Sequence, residues 1–111
     1  MHLPCLSVPG VEAELDYGSD GLTFFLNFIY SPLEITSGEQ RVIAQILTES
    51  FEYEDQAYLL KGNQRLIFTP KAAELIVQAL VADEIVTIKI GSLTIVIPFF
   101  DFIESFSVLI S

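Results

Sequence analysis

Residues 36–50, TSGEQRVIAQILTES, set the order of elements along this chain. Thr36 and Glu39 have the spacing of a capping box, in which a hydroxyl and a carboxylate three residues apart satisfy two free backbone donors at a helix start. Val42, Ile43, Ile46 and Leu47 recur at helical spacing, and Gln40, Arg41, Gln45, Thr48 and Glu49 occupy the other side. The stretch therefore reads as an amphipathic helix that ends near Ser50.

Strands precede it. From Val11 the chain alternates: Val11, Ala13, Leu15 and Tyr17 fall on one face, Glu12, Glu14 and Asp16 on the other. A period of two with acids on one side is a half-buried strand. Gly18-Ser19-Asp20-Gly21 supplies a turn, and Leu22 to Tyr30 returns as a second strand. That second strand is apolar on both faces and is expected to be central and covered. Ser31-Pro32 ends it.

Beyond Ser50 the same logic gives a strand over 51–60, a turn at Lys61-Gly62-Asn63-Gln64 and a short strand over 65–69. Thr69-Pro70 then combines a capping hydroxyl with proline at the first helical position. The helix it opens, 70–82, leaves only Lys71, Glu74 and Gln78 as a narrow polar stripe, so it is expected to be buried on most sides. Gly91-Ser92 between two β-branched runs predicts a hairpin over 84–97. After Pro98, the residues Phe99, Phe102, Ile103, Phe106, Leu109 and Ile110 predict a final amphipathic helix over 98–110.

The expected fold class is thus α+β: a mostly antiparallel sheet built from hairpins at 11–30, 51–69 and 84–97, in the order ββα-ββα-ββα, with helices packed on the sheet. Residues 1–10, with Pro4, Pro9 and Gly10, read as an irregular N-terminal arm, and 11–111 as a single α+β domain. A chain of 111 residues fits one domain. With 51% hydrophobic residues and a mean hydropathy of +0.54 it is not a disordered sequence.

Charge narrows the function classes. The formal net charge is −10, from 15 acids against five Lys and Arg. Residues 1–60 carry ten acids and the single base Arg41, giving −9. Such a field repels phosphate, so nucleic-acid binding and an anionic membrane surface are disfavoured, and a basic protein partner is favoured. The lone Cys5 excludes an internal disulfide and suits a reducing, cytoplasmic setting. The first six residues lack the features of a signal peptide. The apolar stretch from Leu93 to Ser111 contains Pro98, Asp101 and Glu104 and is not read as a membrane span.

Catalytic chemistry is sought and not found. His2, the one histidine, and Cys5 lie in the arm, where positioning is poor. Glu52, Glu54 and Asp55, with Glu49 nearby, could offer oxygen ligands, but their spacing matches no calcium loop. No phosphate-binding glycine loop, nucleophile elbow or zinc motif is present, and no cofactor is expected. The reading is a non-enzymatic protein-binding module (inhibitor, adaptor or chaperone-like). Its candidate partner-binding residues are the acids Glu12, Glu14, Asp16, Glu52, Glu54 and Asp55, with Tyr53 and Tyr58 as anchors. The apolar surplus predicts a homodimer whose interface includes Val77, Val81, Phe102 and Phe106. The alternative is a small ligand- or metal-binding domain or enzyme relying on carboxylates and tyrosines.

Overall fold

The computed structural model describes residues 1–3, 5, 9–29, 33, 40–60, 62, 64–99 and 102–110. Among these residues eight strands and two helices are formed. They are β1 (His2–Leu3), β2 (Val11–Gly18), β3 (Gly21–Phe28), β4 (Arg41–Leu47), β5 (Glu52–Leu59), β6 (Arg65–Ile67), α1 (Pro70–Val81), β7 (Val86–Ile90), β8 (Leu93–Ile97) and α2 (Phe102–Ile110). All strands join one antiparallel sheet in the order β1-β2-β3-β6-β5-β4-β7-β8.

This architecture overturns the α+β expectation: it is a mostly antiparallel, nearly closed eight-stranded barrel with two helices, not a ββα repeat with helices layered on a sheet. The error lies in residues 36–50. Arg41–Leu47 is a strand, and it pairs with β5 on one side and β7 on the other. Its period is two. Val42, Ala44 and Ile46 are buried, while Arg41, Ile43 and Gln45 are exposed. Two ladders of backbone hydrogen bonds outweigh a helical preference that rested on side-chain spacing alone. The capping box at Thr36–Glu39 lies outside the described residues.

Every strand contributes its inward positions to one continuous core. Leu15 lies opposite Phe24, Ala13 opposite Leu26, Leu26 opposite Leu66, and Leu66 opposite Leu59. Ile46, Ile88 and Ile95 form a second cross-strand row. All of these residues are buried. The sheet curls to enclose them. Helix α1 touches both β3 and β7, which three strands separate in the sheet order. In a flat sheet that span would be about 19 Å, well beyond the width of a helix, in keeping with a sheet that curls around α1 into a nearly closed barrel. Helix α2 follows the last strand and touches α1 and β2, near the opposite edge, so it lies over the seam of the barrel.

Local chemistry fixes the ends. Gly21 (φ +95°) closes the β2–β3 turn and Gly91 (φ +55°) the β7–β8 turn, in a backbone region that side chains disfavour. Helix α1 starts as the sequence predicts, with the Thr69 hydroxyl accepting a hydrogen bond from the Ala72 N–H and Pro70 in the first turn. It ends in a Schellman arrangement: Glu84 N–H donates to the Ala79 carbonyl at 2.9 Å and Asp83 N–H to that of Leu80 at 3.2 Å. Lys71, Glu74 and Gln78 form its exposed stripe, as the sequence implies. At the other end of the sheet, two residues of the presumed arm form β1. Leu3 is buried, and the Met1 carbonyl accepts from Leu15 N–H at 2.8 Å. The pairing between β5 and β6 is short: Tyr58 opposite Ile67 and Leu59 opposite Leu66.

Among the described residues Asp55 is the one buried charged side chain, only 2% exposed. Strand alternation turns it inward while Glu52 and Glu54 turn out. Its carboxylate accepts from Thr69 N–H at 3.1 Å and from the Thr69 hydroxyl at 2.6 Å. Removing it leaves the partly buried Thr69 N–H and hydroxyl without their acceptor, which costs about 1–3 kcal/mol. Asp55→Ala is therefore expected to lower unfolding stability by that amount in a urea titration. Glu54→Ala, one residue away, is expected to change it by less than about 0.5 kcal/mol. Equal losses would mean that Asp55 is not inside the barrel.

Candidate functional site

The outward face of the sheet carries two groups of acids with different surroundings. On β2, Glu12, Glu14 and Asp16 stand on the outward side and are partly buried. Each has a basic neighbour. The His2 ring lies against Glu12 through Nδ1. Arg65 Nη2 reaches Glu14 at 3.0 Å and Asp16 at 3.8 Å, and the Asn27 amide donates to Glu14 at 3.1 Å. The Arg65 guanidinium also lies over the Phe25 ring, 3.9 Å from its centroid. Phe25, expected to be covered on its outer side, is covered by this cation. Neither Arg65 nor Asn27 stands out in the sequence: Arg65 is 51 positions from Glu14, and Asn27, 13 positions from Glu14, meets it only across the β2–β3 pair.

On β5, Glu52 and Glu54 are exposed and outward. Glu49 is exposed in the β4–β5 turn, and Glu84 is held beside that turn by Ser50, whose N–H and hydroxyl donate at 3.0 and 2.7 Å. These bonds from Ser50 draw the Glu84 carboxyl below its ordinary range. Among the described residues no ion pair involves Glu49, Glu52, Glu54 or Glu84.

The remaining sequence candidates are distributed as follows. Asp55 leaves the surface set for the core, where it holds α1. Tyr53 faces Ile46 and is half-buried against the core. Tyr58 is outward, 38% exposed, and its hydroxyl donates to the Gln40 side chain. It belongs to an apolar row running across the strands: Phe25 opposite Ile67, Ile67 opposite Tyr58. Ile43, 56% exposed, stands opposite Gln56, diagonal to Tyr58. Ile43 was missed because the helical reading placed it in a buried stripe, and its apolar side chain gives no sign in the sequence that it faces outward. Of the four interface candidates, Val77 and Phe102 are buried within this one protomer, Phe106 is partly buried and stacked on Phe102, and Val81 is exposed. Burial pushes the Cys5 thiol up, away from a reactive thiolate.

No three His, Cys, Asp or Glu side chains among the described residues group to hold a metal ion. No helix among them is long and apolar enough to cross a membrane. Compared with known proteins, the chain matches no family model, no curated protein and no solved structure.

The β2 acids make a pH-dependent pair. Burial, then the hydrogen bond and the charge of Glu14, push Asp16 above the ordinary carboxylate value, against the chain's terminal ammonium and Arg65. For Glu14, burial acts upward, but hydrogen bonds with Asp16 and Asn27 and the charges of Arg65 and His2 bring it below the ordinary value. A raised carboxyl costs stability when ionised, and that cost disappears as pH falls through its raised value. A lowered one adds stability above its unfolded value, and this is lost as pH falls through its depressed value. Asp16→Asn is therefore expected to stabilise the fold at pH 7 and to lose that advantage at pH 3. Glu14→Gln is expected to destabilise at pH 7 and to cost less at pH 3. Solvent limits each effect to about 1 kcal/mol. Chemical denaturation at the two pH values checks both signs.

Proposed function

We propose that this domain is a non-enzymatic protein-binding module, an inhibitor, adaptor or chaperone, that engages its partner through the outward face of β4 and β5. The observation that carries this reading is the exposure of Tyr58, in line with Ile67 and Phe25, and of Ile43 diagonal to it, on a sheet face that water would otherwise favour as polar. An apolar centre with a polar rim is the ordinary anatomy of a protein interface, and Glu54, Gln56, Gln45 and Arg41 supply that rim. The competing reading, a ligand site or enzyme built from carboxylates and tyrosines, requires those groups to converge. Here β3 and β6 separate the β2 acids from those on β5, and Tyr53 and Tyr58 stand on opposite faces of one strand.

A photoreactive amino acid placed at Ile43, in cells that make the protein, is expected to trap a discrete partner. The same group at Ser19, exposed in the β2–β3 turn, is expected to trap none. Equal trapping from both positions would remove the assignment of this face.

A second observation supports self-association as part of the same reading. Ile103 and Ile110 on α2 and Val81 at the end of α1 are exposed, and these two helices touch. Such aliphatic side chains outside the core are the kind that a second copy covers. Val77 and Phe102 take no part, since the protomer buries them itself. Light scattering at micromolar concentration is expected to give twice 12.4 kDa for the wild type and 12.4 kDa for Ile103→Glu. A wild-type mass of 12.4 kDa at every concentration would end the dimer proposal.

A further inference from the structure

Resting on the face assigned above, we propose that the occupant of the β4–β5 face is an extended basic segment of a partner protein, with cations at alternate positions and an apolar residue further along.

The argument starts from which charges are already answered. The β2 acids have Arg65 and His2 beside them, so a partner gains little there. Glu52 and Glu54 have no such neighbour among the described residues, and Glu49 and Glu84 add to the same end of the hairpin. The outward bases nearby stand apart. Arg41 lies opposite Tyr58, at the far end of the strand, and Lys89 lies opposite Gln45, two strands from Glu54. The face is therefore acidic at the Glu52 end and apolar at the Tyr58 end.

Geometry then limits the shape of the occupant. Glu52, Glu54, Gln56 and Tyr58 all point outward from one strand, at intervals of about 7 Å. Alternate residues of an extended chain have the same interval. A segment lying along β5 would place one cation over Glu52, the next over Glu54, a polar residue over Gln56, and an apolar residue over Tyr58 and Ile43. An anionic segment would meet repulsion at the first two positions, and a uniformly cationic one would meet Arg41 at the last. Nucleic acid, whose charge is of the wrong sign, is excluded by the same field.

The probe is the synthetic peptide Lys-Ser-Lys-Ser-Asn-Ser-Leu, compared with twins carrying Glu or Gln in place of both Lys. Amide chemical shifts of the full chain are followed during titration of each. The lysine peptide is expected to perturb Ile43, Glu52, Glu54 and Tyr58. The variant Glu52→Lys with Glu54→Lys is expected to bind it about tenfold more weakly, since charge reversal replaces attraction by repulsion. Asp20→Lys with Glu104→Lys changes the net charge equally and is expected to bind it as the wild type does. If the glutamine and glutamate twins perturb the same four residues equally well, the basic occupant is overturned while the binding face stands. If the lysine peptide instead shifts residues scattered over every acid, or is weakened equally by both variants, the segment is overturned as bulk charge. If no peptide perturbs this face at millimolar concentration, the face itself falls, and the proposed function with it.

Discussion

The hydrogen bonds between Asp55 and Thr69 govern where this sheet stops and its interior begins. Thr69 stands two residues beyond the end of β6, and its N–H and hydroxyl both donate to a carboxylate inside the barrel. The same hydroxyl accepts from Ala72 N–H, so one chain of bonds runs from β5 through the cap into the first turn of α1. A buried carboxylate is costly unless it is satisfied, and here its satisfaction is also what directs the helix inward. From that starting point α1 carries Ala72, Ala73, Ile76, Ala79 and Leu80 into the concave side of the sheet. Without them the curled strands would enclose an unfilled interior.

The outer surface follows a different rule. Carboxylates that have an arginine or histidine neighbour are at least partly balanced within the sheet, whereas those that have none are left facing water. The net charge of −10 is therefore not a uniform property of the molecule. Arg65 answers part of it on β2 and covers Phe25 in doing so. The β4–β5 hairpin keeps its share unanswered, beside exposed Ile43 and Tyr58.

Much of the local structure was legible from the residues. The β2–β3 and β7–β8 hairpins declare themselves by glycine turns, and Thr69-Pro70 announces α1. The exposed stripe of α1 was legible too. The architecture was not, because residues 41–47 satisfy two periods at once. Val42 and Ile46 lie on one face of either a helix or a strand, so the choice fell to Ile43 and Leu47, which were counted as core. Only the neighbours β5 and β7, one of them forty residues away, decide it. The site suffered from the same ambiguity. Glu52, Glu54 and Asp55 look like one acidic cluster in sequence, and a strand splits them between water and core.

The short pairing of β5 with β6 divides the sheet order into equal halves, β1-β2-β3-β6 and β5-β4-β7-β8. Apart from the two-residue edge strand β1, the ladders within each half are longer; across the division only Tyr58 and Leu59 face Ile67 and Leu66. The molecule is in this sense two leaves on a narrow hinge, with α1 touching β3 in one and β7 in the other like a pin through both. Loosening the pin would let the leaves part without breaking either one. Opening motions of this barrel should then follow that single line, and amide hydrogens along the hinge should exchange with solvent before those inside the leaves.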